Sequence, residues 1–208
     1  LILTESIMQR SSEENRMNLT PLQLGIIARS GTPVFAGIDH GSAEGNSPSF
    51  TILVMGTVDH QGMLQIQHIT KFTGKLASLA PQPAILNQMM RDAGVTLVFA
   101  DWGFGAHQNA RLTDEFGWPR NSARHMLAEV MYVSQRQLAI YDPVSGRYKV
   151  DRNQSMIACI DDIKMGRLKF FKAEAMKPFV NDFTTIYTEY NDKYGTTKFD
   201  HKDPDDVF

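Results

Sequence analysis

Two aspartates share a local pattern that suits metal chemistry. Asp39 ends the apolar run in AGIDHG and Asp101 ends the run in VFADWG, each two residues before a glycine. Ligand sites in mixed α/β sheets collect at the carboxyl ends of strands. Two such strands lying side by side bring their carboxylates together, and the repulsion favours a bound divalent cation. Oxygen ligands suit Mg²⁺ or Mn²⁺ better than zinc. The alternative is that each aspartate only caps a turn.

A third acidic group lies near the end of the sequence, in FDHKDPDDVF. Pro204 suits the first turn of a helix, where its missing N–H costs little. Asp205 and Asp206 then fall in that turn, where the helix dipole favours negative charge. An acidic helix start without any further role explains this run equally well, so the pair becomes a candidate only together with the other two aspartates.

The apolar patterns predict an α/β protein that carries these residues. Three strand-like runs joined by tight turns predict an antiparallel meander: PVFAGID, FTILVMGTVD and MLQIQHITKF. A continuous apolar run, TLVFAD, predicts a strand buried on both faces. Helical spacing covers Leu76 to Ala93, His107 to Phe116, Asn153 to Met165 and Ala173 to Tyr190. AIYDPVSGRYKV predicts a hairpin and LKFF a short strand, whereas MLAEVMYV fits a strand or a helix.

Composition narrows the class of protein. The chain has 208 residues, of which 42% are hydrophobic and 21% charged, so one globular domain is the default expectation. The apolar runs are too short to span a membrane, and the charged start is unlike a signal peptide. A single cysteine, Cys159, excludes an internal disulfide and a cysteine-built zinc site. The sequence contains no phosphate-binding loop of the GxxxxGKS type.

The domain boundary is predicted near Pro33. Residues 1–30 are polar with weak periodicity, which predicts a linker or arm, and residues 31–208 then form the domain. The chain opens without Met and stops inside an apparent helix start, so we expect an excised domain.

Charge is distributed unevenly along the second half of the chain. Residues 138–180 hold eight basic and five acidic side chains, whereas residues 181–208 hold three and seven. A basic stretch can contact nucleic-acid phosphates, although a solvated face is the simpler explanation. The candidates for DNA binding are Lys164, Arg167, Lys169, Lys172 and Lys177.

The order of these motifs resembles a known family. A meander opening with Asp39, a helix, a strand ending in Asp101, and late paired acids give the layout of the ribonuclease H-like fold. More particularly, GIDHG, ADWGFG, IACIDDIKMGRLKFF and DHKDPDDVF resemble the C-terminal nuclease domain of the large terminase subunit of tailed bacteriophages. The resemblance covers about residues 33–208. It implies a mixed sheet, an antiparallel three-strand meander plus parallel strands, flanked by helices.

The resemblance also implies a function and its residues. Asp39, Asp101, Asp205 and Asp206 match acids that hold two Mg²⁺ or Mn²⁺ ions for phosphodiester hydrolysis of double-stranded viral DNA during packaging. Many members place histidine directly before the paired acids, whereas here Pro204 takes that place and His201 lies three residues upstream, as a possible near-site residue. Implied partners are DNA, an ATPase domain joined through residues 1–30, the small terminase subunit and the portal protein, in the host cytoplasm, outside the mature virion and without a membrane.

Two alternatives stay open at the sequence level. One is a ribonuclease H-like module that binds DNA or a motor component without catalysis. The other is a different nuclease of the same fold, such as a resolvase or transposase. Binding of a divalent metal distinguishes the terminase-like nuclease from the non-catalytic module. Preference for linear duplex over junction DNA distinguishes it from a resolvase or transposase.

Overall fold

The computed structural model describes residues 3–41, 50–73, 76, 78–120, 125–184, 186–191 and 196–201. Its strands are β1 (Val34–Asp39), β2 (Ile52–Val58), β3 (Leu64–Lys71), β4 (Val95–Asp101), β5 (Met126–Val133), β6 (Ala139–Asp142), β7 (Arg147–Asp151), β8 (Leu168–Lys169), β9 (Ile186–Asn191) and β10 (Thr196–His201). Its helices are α1 (Glu5–Arg10), α2 (Pro21–Arg29), α3 (Gln82–Asp92), α4 (Ala106–Asp114), α5 (Arg152–Lys164) and α6 (Ala173–Thr184).

Eight strands form one mixed sheet in the order β6-β7-β5-β4-β1-β2-β3-β8. The predicted meander is present, because β2 pairs antiparallel with both β1 and β3. Parallel pairing then joins β1 to β4, β4 to β5, and β5 to β7. The predicted hairpin is β6 with β7, and MLAEVMYV is strand β5. The sheet therefore combines the antiparallel and parallel parts that the sequence predicts.

Two hydrophobic clusters cover opposite faces of this sheet. Successive side chains of a strand point to opposite faces, so Ile52 and Leu53 belong to different clusters. The first cluster packs α1, α5, α6 and the β9–β10 hairpin, through residues such as Met8, Ile160, Phe179 and Phe199. The second packs α2, α3 and α4 against the other face, through residues such as Leu24, Leu86 and Leu112. Trp118 is fully buried in the second cluster.

Residues 1–30, which the sequence predicts as a linker or arm, contain two helices that pack against the sheet. Helix α1 is capped by the Thr4 hydroxyl, and α2 has a capping box formed by Thr20 and Gln23. Met8 of α1 and Leu24 of α2 are buried in the two clusters. Each short helix buries little more than one large side chain, so its apolar periodicity was too weak to recognise in the sequence. That residues 1–30 connect this domain to an ATPase domain stays a prediction.

The predicted helix from Ala173 to Tyr190 is wrong in its last third. Helix α6 ends at Thr184, and residues 186–191 form β9, which pairs antiparallel with β10. Phe183, Tyr187 and Tyr190 have helical spacing, but the β-branched residues Ile186 and Thr188 favour a strand. The predicted helix start at Asp205 and Asp206 lies outside the described residues. No helix among the described residues has the length and apolarity to cross a membrane.

Candidate functional site

Asp39 and Asp101 lie side by side as the last residues of strands β1 and β4. Strands β1 and β4 are parallel neighbours, and Ile38 pairs with Ala100 in their register. The next residue of each strand is the aspartate, so both carboxyl groups stand at the same edge of the sheet and on the same face. Asp39 is exposed and Asp101 is half-buried. The juxtaposition that the sequence predicts for these two acids is therefore present.

Among the residues that the structure describes, few side chains cover the sheet in front of the two acids. Gly37 lies on the same face as Asp39, two residues earlier, and a β-carbon built there would meet no atom within 4 Å. Phe99, two residues before Asp101, is 43% exposed, and Tyr132 of the adjacent β5 is 50% exposed. Within the described ranges, helices α5 and α6 thus leave this end of the face uncovered, and both carboxylates are accessible from that side.

Opposing effects act on the charge of Asp101. Partial burial raises the pKa of its carboxyl group above the usual range for aspartate. The backbone N–H groups of Gly103, Trp102 and Phe104 and the guanidinium of Arg152 act in the opposite direction and favour the carboxylate. A divalent cation at this edge would act in the same direction as the backbone N–H groups and Arg152, because it would also stabilise the charged carboxylate of Asp101.

Tyr132 and Arg152 lie close enough to these acids to interact with them electrostatically, and no local pattern in the sequence points to either residue. Val130 pairs with Asp101, so Tyr132, two residues further along β5, lies on the same face. Burial of its hydroxyl and the charges of Asp39 and Asp101 raise the pKa of Tyr132. Arg152 is the first residue of α5, whose N-cap is Asp151. Tyr132 reaches the acids because β5 pairs with β4, and Arg152 because α5 begins directly after β7, which pairs with β5. The apolar periodicity of a single segment does not predict such contacts between distant segments.

Behind the acids, a buried polar contact joins the ends of β1 and β4. His40 Nε2 lies 2.9 Å from Asn109 Oδ1, and Asn109 Nδ2 donates to the carbonyl oxygen of Asp101 at 2.8 Å. His40 is 3% exposed and Asn109 is fully buried. Burial lowers the pKa of His40 to about 4, although the bond to Asn109 opposes that shift. The imidazole is therefore neutral at physiological pH.

The donor set fits a hard divalent cation in part. Within the described ranges, no three or more His, Cys, Asp or Glu side chains form a group suited to a metal ion. Two neighbouring carboxylates nevertheless match the way Mg²⁺ is commonly held, with one or two carboxylates and several waters. Asp205 and Asp206 lie outside the described residues, and His201 is described only as the last backbone position of β10.

The predicted DNA-binding residues gather at the other end of the sheet. Lys169 of β8 pairs with Gln65, Gln65 with Thr57, and Thr57 with Val34, the first residue of β1. Asp39 is five residues further along β1, so the strand spacings place it about 20 Å from Lys169. Among the other candidates, Arg167 is 2.7 Å from the Asp162 carboxylate and Lys172 is 3.5 Å from that of Glu174. The structure does not bring this group to the acids.

Aromatic residues follow Asp101 directly. Phe104 is 78% exposed. The guanidinium carbon of Arg147 lies 4.4 Å from the centroid of the Trp102 ring, and Arg147 also forms an ion pair with buried Glu129 at 3.1 Å. Trp102 is thus held by a stacking contact, whereas Phe104 presents its ring to solvent beside the open edge.

Solved structures with a similar fold include two viral terminase proteins. The crystal structure of the HK97 bacteriophage large terminase superposes with a TM-score of 0.59 and 13% identity, covering 99% of this chain and 41% of that one. The chain has the fold of a viral terminase nuclease domain. The human cytomegalovirus terminase nuclease domain, soaked with Mn and bound to an inhibitor, gives a TM-score of 0.50 and 9% identity, covering 88% of this chain and 87% of that one.

The relationship to terminases lies in the fold rather than in the sequence. No protein-family model and no curated protein sequence matches the chain. The chain spans about two fifths of the length of the HK97 large terminase, since 41% of that protein is covered. The mixed sheet with flanking helices is the terminase nuclease, ribonuclease H-like architecture, which confirms the predicted fold class.

Proposed function

We propose that this chain is a divalent-metal-dependent endonuclease domain that cuts double-stranded viral DNA during genome packaging. The observation that carries the proposal is the pair Asp39 and Asp101, which end adjacent parallel strands at an uncovered edge of the sheet. The terminase nuclease fold supports the same function. The Mn soak of the cytomegalovirus domain supports manganese or magnesium as the cofactor.

Each residue of the site has a separate task in this proposal. Asp39 and Asp101 hold the metal ions, and Asp205 with Asp206 complete the ligand set. Two divalent ions bound there supply an activated water and neutralise charge on the leaving 3′ oxygen. Tyr132 is protonated at neutral pH, as an ordinary tyrosine is, and its raised pKa keeps it so at higher pH, so its hydroxyl is a donor toward a phosphate oxygen. Arg152 offsets the negative charge that the substrate brings beside Asp101.

The wider context follows the structural relatives. In this proposal the substrate is duplex DNA, and the basic residues around β8 contact its backbone without sequence preference. An ATPase domain of the same protein, the small terminase subunit and the portal are the proposed partners, and the host cytoplasm is the proposed site of action.

Plasmid digestion tests the proposal. Supercoiled plasmid incubated with the protein and Mn²⁺ or Mg²⁺ should be nicked and linearised, and EDTA should stop the reaction. Asp39→Asn should abolish cleavage while circular dichroism stays unchanged, because an amide cannot supply the charge that the metal needs. Asp114→Asn is a matched control, since Asp114 is exposed at the end of α4.

Three outcomes would contradict the proposal. Metal-dependent cleavage that survives in a clean preparation of Asp39→Asn removes this carboxylate from the site. DNA binding without any cleavage favours the non-catalytic module. Strong preference for four-way junctions over linear duplex favours a resolvase-type nuclease.

A further inference from the structure

The contact between His40 and Asn109 links residues 69 positions apart, and its hydrogen-bond directions follow from its neighbours. Asn109 Nδ2 donates to the carbonyl oxygen of Asp101, so Asn109 Oδ1 is the atom that faces the imidazole. An amide oxygen only accepts, and therefore His40 Nε2 carries the hydrogen. A single amide thus receives a bond from the residue after Asp39 and gives one to Asp101 itself. We call this pair the His40–Asn109 bridge.

The bridge is held rigidly by the helix that carries it. Asn109 lies in the first turns of α4, and its backbone N–H donates to the carbonyl oxygen of Gly105 at 2.8 Å. Gly105 leaves no room for a side chain, because a β-carbon there would lie 2.2 Å from His40 Cδ2 and 2.4 Å from the Asp101 carbonyl oxygen. The imidazole and the end of β4 are therefore packed directly against the start of α4.

The bridge also lies on the side of the sheet away from the metal ligands. Adjacent residues of a strand point to opposite faces, so His40 points toward α4 when Asp39 points toward the open face. Beyond it, the backbone N–H of Gly41 donates to the Thr51 hydroxyl at 3.0 Å, which ties the same strand end to the other neighbour of β1. The residue after Asp39, His40, is thus anchored on the α4 side of the sheet, opposite the face to which the Asp39 carboxylate points.

We infer that His40 and Asn109 are positioning residues, which set the separation of the Asp39 and Asp101 carboxylates by fixing the ends of the two strands. The inference rests on the proposed metal-dependent function. Residues that orient metal ligands through hydrogen bonds change metal affinity by about 10- to 100-fold when they are replaced. Displacement of a reacting group by about 1 Å can cost roughly 100-fold in rate. A bridge between the two ligand strands controls both quantities.

Direct measurement of Mn²⁺ binding tests the inference without relying on cleavage. Asn109→Leu keeps the side-chain size and removes both bonds of the bridge. Its matched control is Gln108→Leu: Gln108 is the preceding residue of α4, is 7% exposed, and donates to the Leu79 carbonyl oxygen away from the acids. Free and bound Mn²⁺ are counted by electron paramagnetic resonance, and melting temperature reports the loss of stability in each variant.

The expected result is a difference in metal binding between two variants that lose similar stability. Asn109→Leu should bind Mn²⁺ at least about tenfold more weakly than the wild type, whereas Gln108→Leu should bind within about twofold. His40→Gln retains an N–H donor for Asn109 Oδ1 and should restore most of the affinity that His40→Leu loses. If Asn109→Leu does not fold, the two His40 variants carry the comparison.

The outcomes also separate this inference from the proposed function. Equal Mn²⁺ affinity in Asn109→Leu and Gln108→Leu, or in His40→Gln and His40→Leu, overturns the positioning role while the nuclease proposal stands. A wild-type protein that binds Mn²⁺ but never cuts DNA defeats the nuclease proposal alone, and the affinity ratios still decide the role of the bridge. A wild-type protein that binds no Mn²⁺ overturns both.

Discussion

At the scale of single residues, Asp101 is held in an environment that suits its task better than it suits stability. Its carboxyl group is half-buried beside Asp39, and three backbone N–H groups with Arg152 only partly offset the burial. Burial of a charge without full compensation destabilises the folded state. A cation bound at the proposed site would reverse that balance, because it stabilises the charged carboxylate.

The sign of the Asp101 shift predicts a dependence of stability on pH. Because the folded-state pKa lies above the unfolded value, metal-free protein loses stability as pH rises through the interval between these two pKa values, and the loss persists above it. In EDTA, Asp101→Asn should therefore melt at a higher temperature than the wild type at pH 7. The difference should close near pH 3, below the usual pKa of aspartate of about 4.

Calorimetry of both proteins across this pH range checks the prediction. Asp114→Asn, at an exposed position, should show no such change. A wild-type protein that is more stable than Asp101→Asn at pH 7 would show that the backbone donors and Arg152 outweigh the burial.

Tyr132 supplies a second prediction at this scale. Tyr132→Phe keeps the ring and removes a hydroxyl that is protonated at neutral pH and whose pKa burial and the two carboxylates raise further. A hydrogen bond to a charged group contributes about 1.5–3 kcal/mol, which corresponds to roughly a 10- to 100-fold slower single-turnover cleavage. Tyr141→Phe, on the exposed edge strand β6, is the control and should cut at the wild-type rate. Equal rates in the two variants would remove Tyr132 from the reaction.

At the scale of elements, the basic residues around β8 are separated by two strands, β2 and β3, from β1, which ends in Asp39. Lys169 stands at the level of Val34, so the distance to Asp39 of about 20 Å corresponds to about six base pairs of duplex. A duplex that reaches from the open edge to β8 would contact these residues beside the cut rather than at it. Their proposed role is therefore affinity and not catalysis.

This placement predicts that the basic residues around β8 affect DNA affinity but not the rate of cleavage. Replacing Lys169, Lys172 and Lys177 by Ala should weaken DNA binding and reduce its salt dependence by up to roughly 0.9 per lost phosphate contact. The single-turnover rate at saturating DNA should stay at the wild-type value. Lys177→Ala compared with Arg29→Ala gives the effect per charge, because both are exposed and α6 packs on the face that bears Asp39 and Asp101, whereas α2 packs on the opposite face. Unchanged binding in the triple variant would make the stretch a solvated face.

The elements also show which parts of the fold the sequence can predict. Strands β1 and β4 are continuous apolar runs closed by an acid and a glycine, so their existence, and the meeting of Asp39 with Asp101, followed from pattern and topology. Helices α1 and α2 escaped prediction because each buries one or two side chains, such as Met8 and Leu24. The helical spacing of Phe183, Tyr187 and Tyr190 predicts a helix where the structure has strand β9.

The remaining site residues were beyond prediction for a different reason. His40 and Asn109 meet across 69 positions, and Tyr132 reaches the acids only through the register of β5 on β4. Each partner is ordinary in its own segment: a histidine after a strand, an asparagine in a helix, a tyrosine in a strand. Local patterns specify elements, whereas polar contacts between distant elements depend on the assembled sheet.

At the scale of the whole molecule, both faces of the sheet are packed, and among the described residues the edge that carries Asp39 and Asp101 is left uncovered. One cluster joins α1, α5, α6 and the β9–β10 hairpin, and the other joins α2, α3 and α4. The hairpin is fixed to the first cluster by Ile186 and Phe199, so the chain reaches His201 anchored to the same face that bears Asp39 and Asp101. This anchoring is the structural reason to keep the acids after His201 in the proposed ligand set.

That anchoring leads to the last prediction, which concerns Asp205 and Asp206. If both complete the metal site, the double variant Asp205→Asn with Asp206→Asn should bind Mn²⁺ at least about tenfold more weakly and lose cleavage, since Mg²⁺ and Mn²⁺ sites depend on charged oxygen ligands. The matched control is Asp161→Asn with Asp162→Asn, an adjacent acidic pair in α5 whose Asp162 pairs with Arg167. Both double variants remove the same charge, so a general electrostatic effect on Mn²⁺ would appear equally in each. Equal affinities would show that Asp39 and Asp101 bind the metal without the tail, and Asp205 and Asp206 would lose their proposed role.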